Sequence, residues 1–302
     1  MNASAPPFVI SRRATLGGLL AAALSPTAFA RHEPNELAQA HSALKSIEHT
    51  TGGRLGVAAR EAGGTVRCVY NADRPFPLCS TFKFLAVTMM LKRIDDKADK
   101  PDRMVAYGEA DLLDYAPVAR KHAGEGAMTV SALCAAAIEY SDNTAANLLL
   151  REMGGPPALT RFARSLDDAV TRLDRNEPTL NEAKPGDERD TTTPEAMLGD
   201  MERILLGDEL KPDSRKQLAA WLAGNTTGAQ RLRAGLPPGW QIGDKTGSGN
   251  NTSNDIAIIR PPGRPPILAA VYLTATKADA AGRDKAIADV GRVIAELYRS
   301  TG

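Results

Sequence analysis

Apolar residues recur at helical spacing between Asn35 and Thr50 (Leu37, Ala40, Leu44, Ile47), and Gly52-Gly53 ends the run, which predicts an N-terminal amphipathic helix. Arg54 to Arg60 and Val66 to Tyr70 read as strands joined through Glu61-Ala-Gly-Gly-Thr65, a hairpin signal. From Thr81 to Ile94 apolar side chains occupy nearly every helical face: Phe82, Phe84, Leu85, Val87, Met89, Met90 and Leu91. A helix apolar all round belongs in a core. Helical patterns with polar loops continue to about Ala223. The chain then changes character. Gly239 to Lys245, Asp255 to Arg260 and Ile267 to Ala275 are short β-rich runs between Gly, Asn, Ser and Pro turns, and a final helix spans Ala280 to Tyr298. Strands at both ends and helices between them predict one sheet of about five strands assembled from both termini. It is flanked by the terminal helices. The expected division is an α/β domain from 31–78 and 224–302, with an inserted all-α domain at 79–223.

The first thirty residues do not belong to that pattern. Ser11-Arg12-Arg13-Ala14-Thr15-Leu16 precedes an apolar, Gly/Ala-rich run to Leu24 and then the small-residue triplet Ala28-Phe29-Ala30. A basic start, a short apolar stretch and an A-x-A end mark a cleavable export signal at 1–30. The paired arginines resemble the twin-arginine class. The apolar run is too short to span a bilayer, which takes ~20 residues. The expected location is therefore periplasmic or secreted, with no membrane contact after cleavage.

The chain has 302 residues, 43% hydrophobic and 24% charged, with 37 Lys+Arg against 36 Asp+Glu. Losing Arg12 and Arg13 with the signal leaves 35 basic and 36 acidic residues, net −1. Nucleic-acid binders carry a clear basic excess, so that partner class is excluded. Cys68, Cys79 and Cys134 each sit among apolar neighbours, where free Cys packs as a small hydrophobe, and no disulfide is expected. His32, His41, His49 and His122 show no ligand spacing, so neither a metal nor another cofactor is expected.

Three short motifs carry chemistry. In Ser80-Thr81-Phe82-Lys83 the lysine lies one turn after the serine, on the same face of the buried helix. A helix N-terminus and an ammonium both favour an alkoxide, and a partly neutral Lys can take its proton. The same spacing in Ser42-Ala43-Leu44-Lys45 lies on an ordinary amphipathic helix and reads as solvated surface. Ser141-Asp142-Asn143 follows an apolar helix and is also a good N-cap sequence. Asp244-Lys245-Thr246-Gly247-Ser248-Gly249 closes a strand and could be no more than a polar strand end.

Together and in this order, Ser-x-x-Lys, Ser-Asp-Asn and Lys-Thr-Gly resemble the penicillin-recognising serine enzymes. Arg172-Leu-Asp-Arg-Asn-Glu-Pro-Thr-Leu-Asn181 adds the Glu-x-x-Leu-Asn signature of class A serine β-lactamases as Glu177 and Asn181. The resemblance covers essentially the whole mature chain and implies a β-lactamase/transpeptidase-like fold with an antiparallel sheet. Residues 175–190 are polar, contain Pro178, Pro185 and Gly186, and suit an Ω-loop. The resemblance implies an ion pair of Arg175 with Asp190 across its neck and a cis bond before Pro178.

The same resemblance implies hydrolysis of penicillins and cephalosporins, small-molecule substrates whose destruction confers resistance, by a monomer. Ser80 would be acylated, with an oxyanion hole from the backbone N–H groups of Ser80 and Ser248. Lys83 or Glu177 would deprotonate Ser80; family chemistry leaves the choice open. Ser141 would pass a proton to the lactam nitrogen beside Lys245, and Glu177 with Asn181 would hold the hydrolytic water. Asn143 would bind the acyl-amide side chain and Tyr115 flank the entrance. Lys245, Thr246, Gly247 and Ser248 would line the carboxylate pocket.

Relatives add an arginine from one of two places. The later one reads Asn250-Asn-Thr-Ser-Asn254 here, so Arg231 in Gln230-Arg-Leu-Arg233 is expected to serve. The alternative is a surface Arg on a loop. Some carbapenem-hydrolysing relatives tie the position of Cys79 to a Cys after Lys-Thr-Gly. Gly249 stands there instead, and strong carbapenemase activity is not expected. A DD-peptidase shares three of the motifs but lacks a deacylating Glu. A membrane-tethered antibiotic sensor needs a spanning segment that the sequence does not contain.

Overall fold

A computed structural model describes residues 1–3, 34–65 and 67–299. The expected export signal and its cleavage triplet lie outside the described residues, apart from 1–3. Five antiparallel strands make the main sheet: β1 (Arg54–Glu61), β2 (Arg67–Tyr70), β3 (Gln241–Gly249), β4 (Thr252–Arg260) and β5 (Ile267–Thr274). Their spatial order is β2-β1-β5-β4-β3, so the N-terminal hairpin pairs with the last strand, Arg54 opposite Thr274 and Glu61 opposite Ile267.

Strand β5 shows why the sheet lies inside. All eight of its residues are buried, and they alternate between two cores. Ile267, Ala269, Val271 and Leu273 pack with the amphipathic helices α1 (Pro34–Thr51) and, at the other end of the chain, Ala280–Arg299. Leu268, Ala270 and Tyr272 face the helices between the strand groups. Side chains of a strand alternate faces, so a strand apolar throughout must be covered on both sides.

The second core is built around α2 (Phe82–Asp95), in which every residue from Phe82 to Leu91 is buried. Around it lie α3 (Val130–Glu139), α4 (Asn143–Met153), α5 (Pro156–Ser165), α6 (Pro194–Leu205) and α7 (Pro212–Ala223), with α8 (Ala280–Arg299) on the far side of the sheet. No helix among the described residues is long and apolar enough to cross a membrane. Cys68, Cys79 and Cys134 are free and buried.

One element differs from its sequence pattern. β3 does not close at Lys245 but continues through Thr246-Gly247-Ser248-Gly249, pairing Gly249 with Thr252 across a tight turn. The run lacks the apolar alternation of an ordinary strand because one face packs on a polar cleft.

Candidate active site

The cleft lies where the start of α2, the start of α4, the Ω-loop and the edge strand β3 meet. Its volume is about 330 Å³. Ser80, Tyr115, Ser141, Asn143 and Asn181 line it from the helical side; Thr227, Arg231, Thr246 and Ser248 line it from the sheet side.

Ser80 sits in a single 3₁₀ turn, Cys79–Thr81, that leads directly into α2 and holds its hydroxyl at the cleft. That hydroxyl donates to Glu177 Oε1 at 3.0 Å, and Lys83 Nζ lies 3.0 Å from the same oxygen. The serine and lysine therefore meet through a shared carboxylate. Lys83 is fully buried and donates to the Ser141 carbonyl at 2.8 Å, to Ser141 Oγ at 3.3 Å and to Asn143 Oδ1 at 2.6 Å. Ser141 Oγ also accepts from Lys245 Nζ at 3.0 Å, so one hydroxyl bridges two buried ammonium groups.

Burial lowers the Lys83 pKa, against the opposing pull of Glu177. Lys245 is pushed further down, by burial first and by the neighbouring Lys83 second. Two cations stripped of water on one hydroxyl favour proton release. This arrangement suits proton transfer better than static charge storage.

The Ser-Asp-Asn motif fulfils its capping reading. Asp142 is the N-cap of α4, accepting from Ala145 N, while its other oxygen accepts from the backbone N–H groups of Val118 and Ala119. The cap thereby fixes the loop that carries Tyr115, which is 51% exposed at the rim. Ser42 and Lys45, the matching spacing on α1, are exposed as expected.

Glu177 is aimed from the Ω-loop. The Glu177–Pro178 peptide is cis, and Asn181 Nδ2 donates to Glu177 Oε2. Arg175 Nε meets Asp190 Oδ2 at 2.6 Å across the neck. A residue without a motif completes this hold. Asn147 on α4 accepts from Glu177 N at 3.0 Å and donates to Glu177 O at 2.9 Å. It lies four residues after Asn143, one turn along the same helical face, and that spacing was its only sequence signal.

Arg231 is not a surface arginine. It is 7% exposed at the start of the short helix Leu232–Gly235, with Nε on Asp284 Oδ1 at 2.8 Å. Its Nη1 donates to the carbonyls of Gly247 and Asn254, and Nη2 to Ser248 Oγ at 2.7 Å. A guanidinium has five N–H donors, so one on Nη2 remains. Asp284 and Thr227 are further residues that the sequence did not single out. Gly249 backs onto Cys79: a Cβ added there would lie 2.8 Å from Sγ. Among the described residues no cluster of His, Cys, Asp and Glu could hold a metal.

A sequence profile of the β-lactamase enzyme family matches residues 39–298. The chain belongs to the class A β-lactamases. It is 44% identical over 257 residues to β-lactamase OXY-2 of Klebsiella oxytoca, covering 85% of this chain and 88% of that one. A β-lactamase of Streptomyces albus G is 44% identical over 297 residues, 94% of both chains. Among solved structures, an ancestral class A β-lactamase superposes with a TM-score of 0.84 at 55% identity, covering 85% of this chain and 99% of the other. The fold expected from the sequence is thus the fold of the family.

Proposed function

We propose that this β-lactamase opens penicillins and cephalosporins through an ester on Ser80 and so confers resistance to them. The observation that carries the reading is the single Glu177 oxygen 3.0 Å from both Ser80 Oγ and Lys83 Nζ in a buried site. Ser80 Oγ attacks the lactam carbonyl as its proton leaves towards Glu177, and the backbone N–H groups of Ser80 and Ser248 receive the oxyanion. The C–N bond breaks, and the nitrogen takes a proton from Ser141 Oγ, resupplied by Lys83 beside Lys245. Glu177 hands the Ser80 proton across the 3.0 Å contact to Lys83, which resupplying Ser141 had left neutral, and is a carboxylate again. A water held between Glu177 and Asn181 then adds to the ester, giving its proton to Glu177. The ester bond breaks and Ser80 takes its proton back from Glu177.

Substrate would lie with its acyl amide on Asn143 and its side chain past Tyr115. Its carboxylate would rest on Lys245, Thr246, Gly247 and Ser248, with the spare N–H of Arg231. The Arg175–Asp190 pair and Pro178 hold the Ω-loop that aims Glu177. Residues 31–78 with 224–302 form the α/β part and 79–223 the inserted helical part. The arrangement suits a monomer, exported by a twin-arginine signal at 1–30 to the periplasm or medium.

Steady-state hydrolysis of a chromogenic cephalosporin by the purified chain, unaffected by chelator, is the expected result. Glu177→Ala should accumulate a penicilloyl adduct on Ser80 in intact-protein mass spectra. Fast turnover without an adduct would remove Glu177 from deacylation.

A further inference from the structure

We propose that Thr227 is a positioning residue for substrate, the middle of a two-hydroxyl relay that reverses when the substrate carboxylate binds. The inference rests on the carboxylate pocket proposed above.

The argument is a count of protons. Thr227 Oγ1 donates to Asn225 Oδ1 at 2.8 Å, and Thr227 Oγ1 is also in hydrogen-bond contact with Thr246 Oγ1. A threonine hydroxyl has one proton. With that of Thr227 on Asn225, the proton between the two threonines belongs to Thr246. The chain of hydroxyls therefore runs Thr246 to Thr227 to Asn225, and Thr246 presents only lone pairs to the pocket. An incoming carboxylate, itself an acceptor, meets the wrong end of that hydroxyl.

Binding requires the order to turn over. Thr246 must swing its O–H to the carboxylate. Two oxygens in hydrogen-bond contact cannot be left without a proton between them, so Thr227 must turn its O–H from Asn225 to Thr246. Asn225 Oδ1 loses one donor but is not orphaned, because it also accepts from Thr227 N at 3.0 Å. The number of hydrogen bonds is conserved through the switch, and each donor in the turned chain strengthens the next.

The relay has a rigid end. Asn225 Nδ2 donates to Asp244 Oδ2, and Asp244 Oδ1 accepts from Arg233 Nη2 at 2.7 Å. Asp244 is fully buried on β3, next to Lys245. The loop presses so closely on it that a Cβ at Gly228 would lie 1.9 Å from Asp244 Oδ2. Asn225 cannot swing away, so only the hydroxyl protons move.

The test is steady-state kinetics with a penicillin and with the same penicillin masked as its methyl ester. Thr227→Val keeps the shape, and the Asn225 bond to the backbone, but removes the hydroxyl. By the same count the variant leaves the Thr246 O–H without its Thr227 acceptor and free for the carboxylate, so KM for the free acid should fall about twofold to tenfold, with kcat within about twofold. Thr227→Ser should restore KM, and with the ester, whose carbonyl accepts more weakly than a carboxylate, the difference between the wild-type and Thr227→Val enzymes should shrink. Thr227→Ala provides a second hydroxyl deletion should the valine variant fold poorly. An unchanged or raised KM for the acid overturns the relay, as does an equal change on acid and ester, which would make Thr227 a loop spacer. Absence of β-lactam turnover by the wild-type enzyme would instead defeat the proposed function itself.

Discussion

The neck of the Ω-loop is the point where a single atom change should separate folding from turnover. Asp190 is fully buried. Its Oδ1 accepts from the backbone N–H groups of Asp174 at 2.7 Å and Arg175 at 2.9 Å, and its Oδ2 accepts from Arg175 Nε at 2.6 Å. Its own carbonyl accepts from Leu78 N, two residues before the nucleophile. Asp190→Asn keeps an oxygen that accepts from both backbone N–H groups but turns an amide N–H₂ against the Arg175 N–H.

A charge-assisted hydrogen bond contributes about 1.5–3 kcal/mol. Breaking a buried pair outright costs about 3–5 kcal/mol, but Glu182 at 2.8 Å and Asp187 at 3.7 Å stay beside the guanidinium and reduce that figure. We therefore expect a loss of about 2–3 kcal/mol. For a chain of this size each kcal/mol lowers Tm by about 2–4 °C, so the shift should be about 4–12 °C. Because Glu177 is aimed from this loop, deacylation should slow more than acylation. Differential scanning fluorimetry and a stopped-flow burst on a chromogenic cephalosporin measure the two effects. A Tm within about 2 °C of wild type, with no burst, would show that the ion pair does not hold the loop.

Two other sites give distinct expectations. Arg231→Ala should raise KM for penicillins at least about tenfold and also lower Tm, because it strips donors from the Gly247 and Asn254 carbonyls and leaves Asp284 unpaired; unchanged kinetics with a lower Tm would make it a strut only. Asp200 is buried, neither of its carboxyl oxygens has a hydrogen-bond donor among the described residues, and its pKa is pushed up to about 9, first by burial and then by Asp168. The native state thus keeps a proton that the unfolded chain loses near pH 4. The contribution of this group to stability is fully present below that pH and is lost as pH rises towards 9, by at most about 1.4 kcal/mol per pH unit. Asp200→Asn should flatten the slope of unfolding free energy between pH 5 and pH 8.5, measured with urea; parallel curves for the two proteins would sink the assignment.

What the sequence reveals is what sits close together along it. The all-apolar faces of Phe82 to Leu91 announce a buried helix, and burial there makes Lys83 exceptional beside Lys45. Arg175 and Asp190 are legible because both belong to one loop. Arg231 and Asp284 are not: their contact spans three strands, β3 to β5, and reaches the start of α8, and neither residue differs in kind from a solvated one. Thr227 reads as a loop hydroxyl until β3 places Thr246 against it. The end of β3 is hidden for a related reason. Its polar residues face a cleft whose other wall comes from α2, α4 and the Ω-loop, so no local alternation marks them as strand.

The sheet order has a consequence for how the chain reaches this state. Strand β1 has no partner on its β5 side until Ile267–Thr274 has been made, and β3, which carries Lys245, connects to β1 only through β4 and β5. Such pairings close very long loops and give high contact order, which slows folding. While synthesis proceeds, α2 and its neighbours have no sheet to cover their apolar faces. A chain emerging from a ribosome therefore stays aggregation-prone until its last quarter is complete, and chaperone capacity, more than native stability, should set its yield.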